Sequence, residues 1–203
     1  MLQRIMVWDL PTRTFHWLQA LAFGGAYLTS DSERYRDIHV ALGYIMLGLI
    51  VFRLLWGFIG TRYARFSSFL FKPGDIVVYL LSLARRNPSH YLGHNPAGSV
   101  AVWLLLSLGL FLCGTGVMAL QDDAGDLVIE MHSYATDAML VVIALHLVGV
   151  ALSTLLHREN LVRAMITGYK PYVSGEGIQR TYRGLAALML VAVVAFGLVF
   201  LRS

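Results

Sequence analysis

A single cysteine, Cys113, stands in the whole chain. One thiol excludes an internal disulfide and an iron–sulfur cluster ligated by this chain alone. With no C-x-x-C-H motif, haem cannot be attached covalently either. Charge is scarce too: Asp, Glu, Lys and Arg make up 14% of 203 residues. No internal repeat or low-complexity segment is present. The net charge of +4 does not point to nucleic acid, because the cations sit beside the apolar runs, where membrane topology accounts for them. Any metal must therefore be held by histidine.

Apolar sequence is what the chain has in excess, at 57% hydrophobic residues and a mean hydropathy of +0.64. Soluble domains seldom reach that balance. Five runs stand out, about Phe15–Thr29, Ile38–Ile59, Ala97–Leu120, Tyr134–Leu156 and Gly184–Leu201. All but the first approach or exceed the roughly 20 residues that span a hydrocarbon core. The first follows Arg4 and Arg13 and resembles a signal peptide. No small-x-small site precedes Asp31, and cleavage would discard His16, so the segment is expected to stay. Orientation follows from Lys and Arg. Arg62, Arg65, Lys72, Arg85 and Arg86 fill the second connection, and Arg158, Arg163, Lys170, Arg180 and Arg183 the fourth. The first and third connections hold seven acids (Asp31, Glu33, Asp37, Asp122, Asp123, Asp126, Glu130) against Arg34 and Arg36. The positive-inside rule then puts the N-terminus in the cytoplasm and the C-terminus outside.

The chain is organised around two histidines in one apolar run, His132 and His146. Fourteen residues separate them, about 21 Å along a helix and two heptads, so both rings point down one seam of a left-handed bundle. His39 sits two residues past Asp37, as His132 does past Glu130. His16 is 15 residues from Asp31, and His146 is 16 from Glu130. The register gives two layers, His39 with His132 outside and His16 with His146 inside. Histidines inside membrane segments are usually functional, and these suit two metal centres at two depths. Hydrogen-bonded core histidines are the bland alternative. Counted from the cytoplasmic side, His157 rivals His146, but a cofactor there would lie at headgroup level beside Arg158 and Glu159. His157 then reads as an interfacial side chain.

Other polar positions complete the pattern. Arg53, fourteen residues after His39, lies at the inner layer, either paired with a cofactor carboxylate or snorkelling to the headgroups. His94 and Asn95, in HYLGHNPAG, precede the third long run; Asn95 followed by Pro96 makes an N-cap and a first-turn proline. His90 and His94 read as surface or interface residues that could line a site below the inner layer. Pro11 is expected to stop the chain before the first helix, with Trp8 and Trp17 at the interface. IVVYLLSL, within 75–83, is too short to span and reads as a surface helix. Gly24 and Gly25 leave room for a bulky group or serve close packing, and Gly109, Gly114 and Gly116 thin the third long helix.

The segments VWDLPTRTFHWLQ, IHVALGY…FRLLWGFIG, YLGHNPAG and MHSYATDAMLVVIALHLVGV…HRENLVRAMITGYK resemble the prokaryotic cytochrome b561 family, which includes the b-type cytochrome subunits of nickel–iron hydrogenases. The resemblance covers roughly residues 4–171. It implies a four-helix core with two non-covalent b haems, each held by two histidines, and His16, His39, His132 and His146 match the ligand positions one by one. It implies electron transfer between a periplasmic partner and the quinone pool. Two imidazoles per iron leave no open site, which suits electron transfer better than oxygen binding.

The expected architecture is an all-α integral membrane protein of the bacterial inner membrane. Residues 1–181 would form the dihaem four-helix bundle and 182–203 a fifth, C-terminal transmembrane helix facing lipid or a partner. The expected function is electron transfer between the quinone pool and a periplasmic redox protein: a c-type cytochrome, another haem protein or a hydrogenase-like subunit. A homodimer stays open. Quinone is expected at the inner layer, with Arg53, His94 and Asn95 as polar groups near it or near haem carboxylates. A superoxide oxidase passing electrons to quinone is the enzymatic alternative, and an anchor or transporter with core histidines the structural one. The acidic outer connections repel an anion such as superoxide and attract a basic protein.

Overall fold

The computed structural model describes residues 4–87, 89–121, 125–171 and 176–202; Asp122 and Asp123 of the acidic third connection lie outside them. In chain order come β1 (Arg4–Met6), α1 (Leu10–Thr29), α2 (Arg36–Ile59), α3 (Pro73–Ala84), α4 (Pro96–Ala119), α5 (Asp126–His157), α6 (Leu161–Thr167), β2 (Tyr169–Pro171) and α7 (Arg183–Phe200). Single 3-10 turns precede α2 and α3.

The helix starts are written in the sequence. Asp9 caps α1 by accepting from Thr12 N at 2.7 Å, and Asn95 caps α4 by accepting from Gly98 N at 2.7 Å. Each is followed by a proline in the first turn, where no backbone donor is needed. This corrects the expected role of Pro11. It does not stop the chain before α1 but lies inside that helix's first turn, because proline is disruptive in a helix only past that turn.

Among the described residues four helices are long and apolar enough to cross a membrane: α2 with the turn before it, α4, α5 and α7. Their outward faces stay apolar, as Val141, Leu145 and Val148 on α5 and Leu188, Val191 and Val194 on α7 show. At 32 residues, α5 is about 48 Å long, well beyond the roughly 30 Å of a hydrocarbon core. α1 has the length, but Arg13, His16 and Gln19 lower its apolar content, and it is not among the four. It nevertheless packs along α2, which packs on α4, and α4 on α5; α7 rests against α1 and α2.

Between the helices, Ala22, Met46, Ile50 and Cys113 form one core and Leu112, Ala135 and Met139 another. Close approach needs small residues at two crossings. A Cβ on Gly25 would stand 2.8 Å from Leu42, and one on Gly109 2.9 Å from Ile50.

The end of the bundle that carries the basic connections is closed by a small cap. β1 and β2 pair antiparallel, Ile5 opposite Lys170. Val7, Trp8 and Ala164 make a core beneath them, and Phe66, Phe69 and Leu106 make another. Trp8, expected at the interface, is 6% exposed; the chain turns in at Asp9 and draws the indole under α6. α3 behaves as a surface helix, burying Tyr79 while Val77, Val78, Leu80 and Leu81 stay exposed.

Candidate functional site

The pair His39 and His132 is assembled by four helices. His39 on α2 and His132 on α5 face each other with ring centres 6.2 Å apart and planes at 69°. Nδ1 of His39 lies 2.8 Å from Ala26 O of α1. A carbonyl can only accept, so Nδ1 carries the proton. Nδ1 of His132 lies 3.1 Å from Thr115 Oγ1 of α4, a hydroxyl already turned toward Phe111 O and Leu112 O. It too is set as the donor. In each ring Nε2 is left with its lone pair, the arrangement by which an outer partner prepares a histidine for a metal.

A cavity of about 480 Å³ opens on both rings, lined also by Phe23, Met46, Leu112 and Thr136. Gly116 makes room at its wall, since a Cβ there would sit 3.2 Å from His132. The volume falls in the range of cofactor pockets. Two imidazoles that each place a nitrogen about 2 Å from one metal ion have ring centres roughly 6 Å apart. Among the described residues no group of three or more His, Cys, Asp or Glu could hold a metal. A pair suffices where a macrocycle supplies four nitrogens, so the donor set fits an iron porphyrin.

Around His16 and His146 several buried polar groups lack partners. His16 of α1 and His146 of α5 lie within electrostatic reach of one another. His16 Nδ1, and Gln19 Oε1 one turn on, are buried without a partner. Arg53 is 3% exposed and does not snorkel; its guanidinium lies 5.0 Å from the Phe66 ring centre and 5.9 Å from that of Phe69. Its Nη1 has no partner. Asp9 is within reach of that charge, but its oxygens already accept from Thr12 N, Trp56 Nε1 and Thr61 Oγ1. A buried guanidinium with a free N–H suits an anionic group such as a cofactor carboxylate.

His94, expected at the surface or interface or lining a site below the inner layer, is packed inside. Its ring meets Phe69 at 4.4 Å and Trp8 edge-on at 4.8 Å, and Nδ1 is buried without a partner. Burial, helped by Arg53, Lys170 and His146, pushes its pKa down to about 3, so it is neutral at physiological pH. Asn95 is committed to the α4 cap through Oδ1. His157 is tied through Nδ1 to Ser153 O at 2.9 Å and through Nε2 to Ser89 O at 3.3 Å.

Two features escaped the sequence reading. Asp9, 1% exposed, joins α1, α2 and the second connection; the Asp-x-Pro before an apolar run was its available signal. The other is a buried ion pair of Glu159 and Lys170 that takes in His90, for which no local pattern exists.

Apolar helices around facing imidazoles, with tautomers set by outer partners, define a membrane protein built to hold a metal macrocycle. The chain belongs to the prokaryotic cytochrome b561 family, whose model matches residues 7–168. It is accordingly a haem-binding, b-type membrane protein of electron transport. Similar proteins include one named as a probable Ni/Fe-hydrogenase B-type cytochrome subunit in Rhizobium leguminosarum bv. viciae, 24% identical over 86% of this chain and 92% of that one. Another of that name, in Rhodobacter capsulatus, is 21% identical over 83% of this chain and 82% of that protein. A third, named as a probable Ni/Fe-hydrogenase 1 B-type cytochrome subunit in Escherichia coli, is 28% identical over 54% of this chain and 57% of its own length. No solved structure matches the chain.

Proposed function

We propose that the protein carries electrons across the bacterial inner membrane through two haem b groups. His39 and His132 hold the outer haem, and His16 and His146 the inner. Bound there, the haems supply one-electron transfer at two depths of the bilayer. The observation that carries this reading is the facing of His39 and His132 with both Nδ1 atoms committed as donors. The residues' own work is then clear. Ala26 O and Thr115 Oγ1 hold the outer rings in one tautomer, and the apolar lining keeps water out. Arg53 offers its free N–H to a carboxylate of the inner group.

In this reading α1 joins α2, α4 and α5 as the four-helix bundle, over residues 1–181, and α7 spans as a fifth helix over 182–203. The N-terminus is cytoplasmic and the C-terminus periplasmic. The outer acidic connections receive a periplasmic redox partner, and the relatives' names favour a hydrogenase-type subunit. Quinone exchanges electrons at the inner layer beside Arg53 and His94. Asn95 remains near it, although its Oδ1 serves the helix cap.

The test is haem stoichiometry and its response to substitution. Purified protein should give two haems per chain by pyridine haemochrome. His39→Ala and His132→Ala should each lose one and keep the other, and His157→Ala should lose none. One haem per chain in the wild type, or loss of a haem with His157, overturns the ligand assignment.

A further inference from the structure

At the basic end of the bundle lies a cluster of titratable side chains that haem binding does not use. Glu159, in the turn after α5, and Lys170, on β2, are 6% and 4% exposed. Glu159 Oε1 stands 3.3 Å from Lys170 Nζ, and Oε2 3.0 Å from His90 Nε2. The His90 side chain keeps 27% of its surface open, so the cluster reaches solvent on one side. On the other, Lys170 is within electrostatic reach of His94, which is itself within reach of His146.

The cluster borders a cavity of about 30 Å³ lined also by Tyr79, Asn95 and Ser153. Tyr79 Oη is buried there without a hydrogen-bond partner. A polar cavity of this size admits a water molecule and offers it several partners. A buried ion pair adds little net stability over apolar packing, so its presence calls for another reason.

We propose that His90, Glu159 and Lys170 form a proton entry from the cytoplasmic surface to the inner layer, relaying protons through a water held by Tyr79, Asn95 and Ser153 to a quinone beside His94. The proposal rests on the quinone reading above. The balance is simple. One quinone takes two electrons, supplied singly from the redox partner through the protein, and two protons, one on each oxygen, to give a quinol. Each proton leaves the Lys170 ammonium through the held water toward the quinone, and the Glu159 carboxylate takes a proton from water through His90 and passes it to Lys170, which restores the ion pair. Lys170 suits the role: burial pushes its pKa down while Glu159 holds it up, leaving an ammonium that releases a proton more readily than an exposed one. The groups facing Glu159 are Lys170 from β2, His90 and Tyr91 from the loop before α4, His157 from α5 and Tyr79 from α3.

Pre-reduced haem-loaded protein, mixed with a water-soluble quinone or with ferricyanide, tests the path, because ferricyanide accepts electrons without protons. Glu159→Gln should slow oxidation by quinone roughly tenfold or more, raise its solvent isotope effect and leave ferricyanide oxidation unchanged. Glu159→Asp should retain most of the rate. His90→Ala, at a partly exposed position that tolerates truncation, should slow quinone oxidation in a way that added imidazole restores. Spectroelectrochemical titration gives a readout apart from turnover: the inner-haem potential should vary less steeply with pH in Glu159→Gln. Unchanged quinone rates in folded Glu159→Gln overturn the path, as does equal slowing with both oxidants. If that variant fails to fold, unchanged rates in His90→Ala overturn it. Wild-type protein that reduces ferricyanide but not quinone removes the quinone reading itself, and the path with it.

Discussion

His132 illustrates how a side chain's role is set by the atom it does not use. The sequence places its imidazole at a depth, but only Thr115 Oγ1, 3.1 Å from Nδ1, decides which nitrogen is free. Partners of this kind typically contribute 10–100-fold in metal affinity. Thr115→Val removes the acceptor while keeping the shape, and should weaken retention of the outer haem by roughly 10-fold or more without affecting the inner one. Competition with an apo-haem protein, followed at the Soret band, measures this. Equal loss from both layers would show that Thr115 serves packing instead. Arg53 follows the same logic: its guanidinium lies over two aromatic faces and its buried Nη1 has no partner, so that N–H is left for something else.

At the scale of elements, the join between α1 and the cap matters most. Asp9 holds the first turn of α1, the indole of Trp56 at the end of α2, and Thr61 just beyond it. Losing a cap costs about 0.5–2 kcal/mol, and leaving buried donors unpaired costs about 1–3 kcal/mol more. Asp9→Ala should therefore destabilise the protein by about 2 kcal/mol or more, whereas Asp9→Asn keeps a capping oxygen and should cost less. Chemical denaturation in detergent, followed by Trp fluorescence, checks both the size and the order. Gly168 is a second join of this kind. It adopts φ +88°, and its carbonyl accepts from Val7 N at 2.8 Å. A side chain there would be strained in the left-handed region and would press on Trp8 O.

For the whole molecule, the inside–outside sense of the bundle decides which layer meets which partner. Helix directions bring both basic connections to one side. α1, α4 and α7 start, and α2 and α5 end, at the side carrying the β1–β2 cap. Cys113 is buried and should stay silent to impermeant maleimides, so single substitutions can be read directly. Glu33→Cys should label in intact spheroplasts, and Asp75→Cys only after lysis. The reverse pattern would invert the protein and put the basic cap outside.

Apolar run length, helix starts and the facing of His39 with His132 could be read from sequence because each is a local, one-dimensional property. Run length sets what spans, an Asn or Asp before a first-turn proline sets where a helix begins, and spacing sets which rings share a face. α1 marks the edge of that legibility, since Arg13, His16 and Gln19 lower the apolar signal that identifies a span. What the sequence could not determine depends on residues far apart in the chain meeting in space. His90 finds Glu159 across 69 positions and Trp56 finds Asp9 across 47. Trp8 was expected at the interface and His94 at the surface or interface or lining a site, yet they pack on each other, because burial depends on what the folded chain brings alongside. The tertiary structure alone decided those meetings, and with them which nitrogen of each outer histidine is left for a metal.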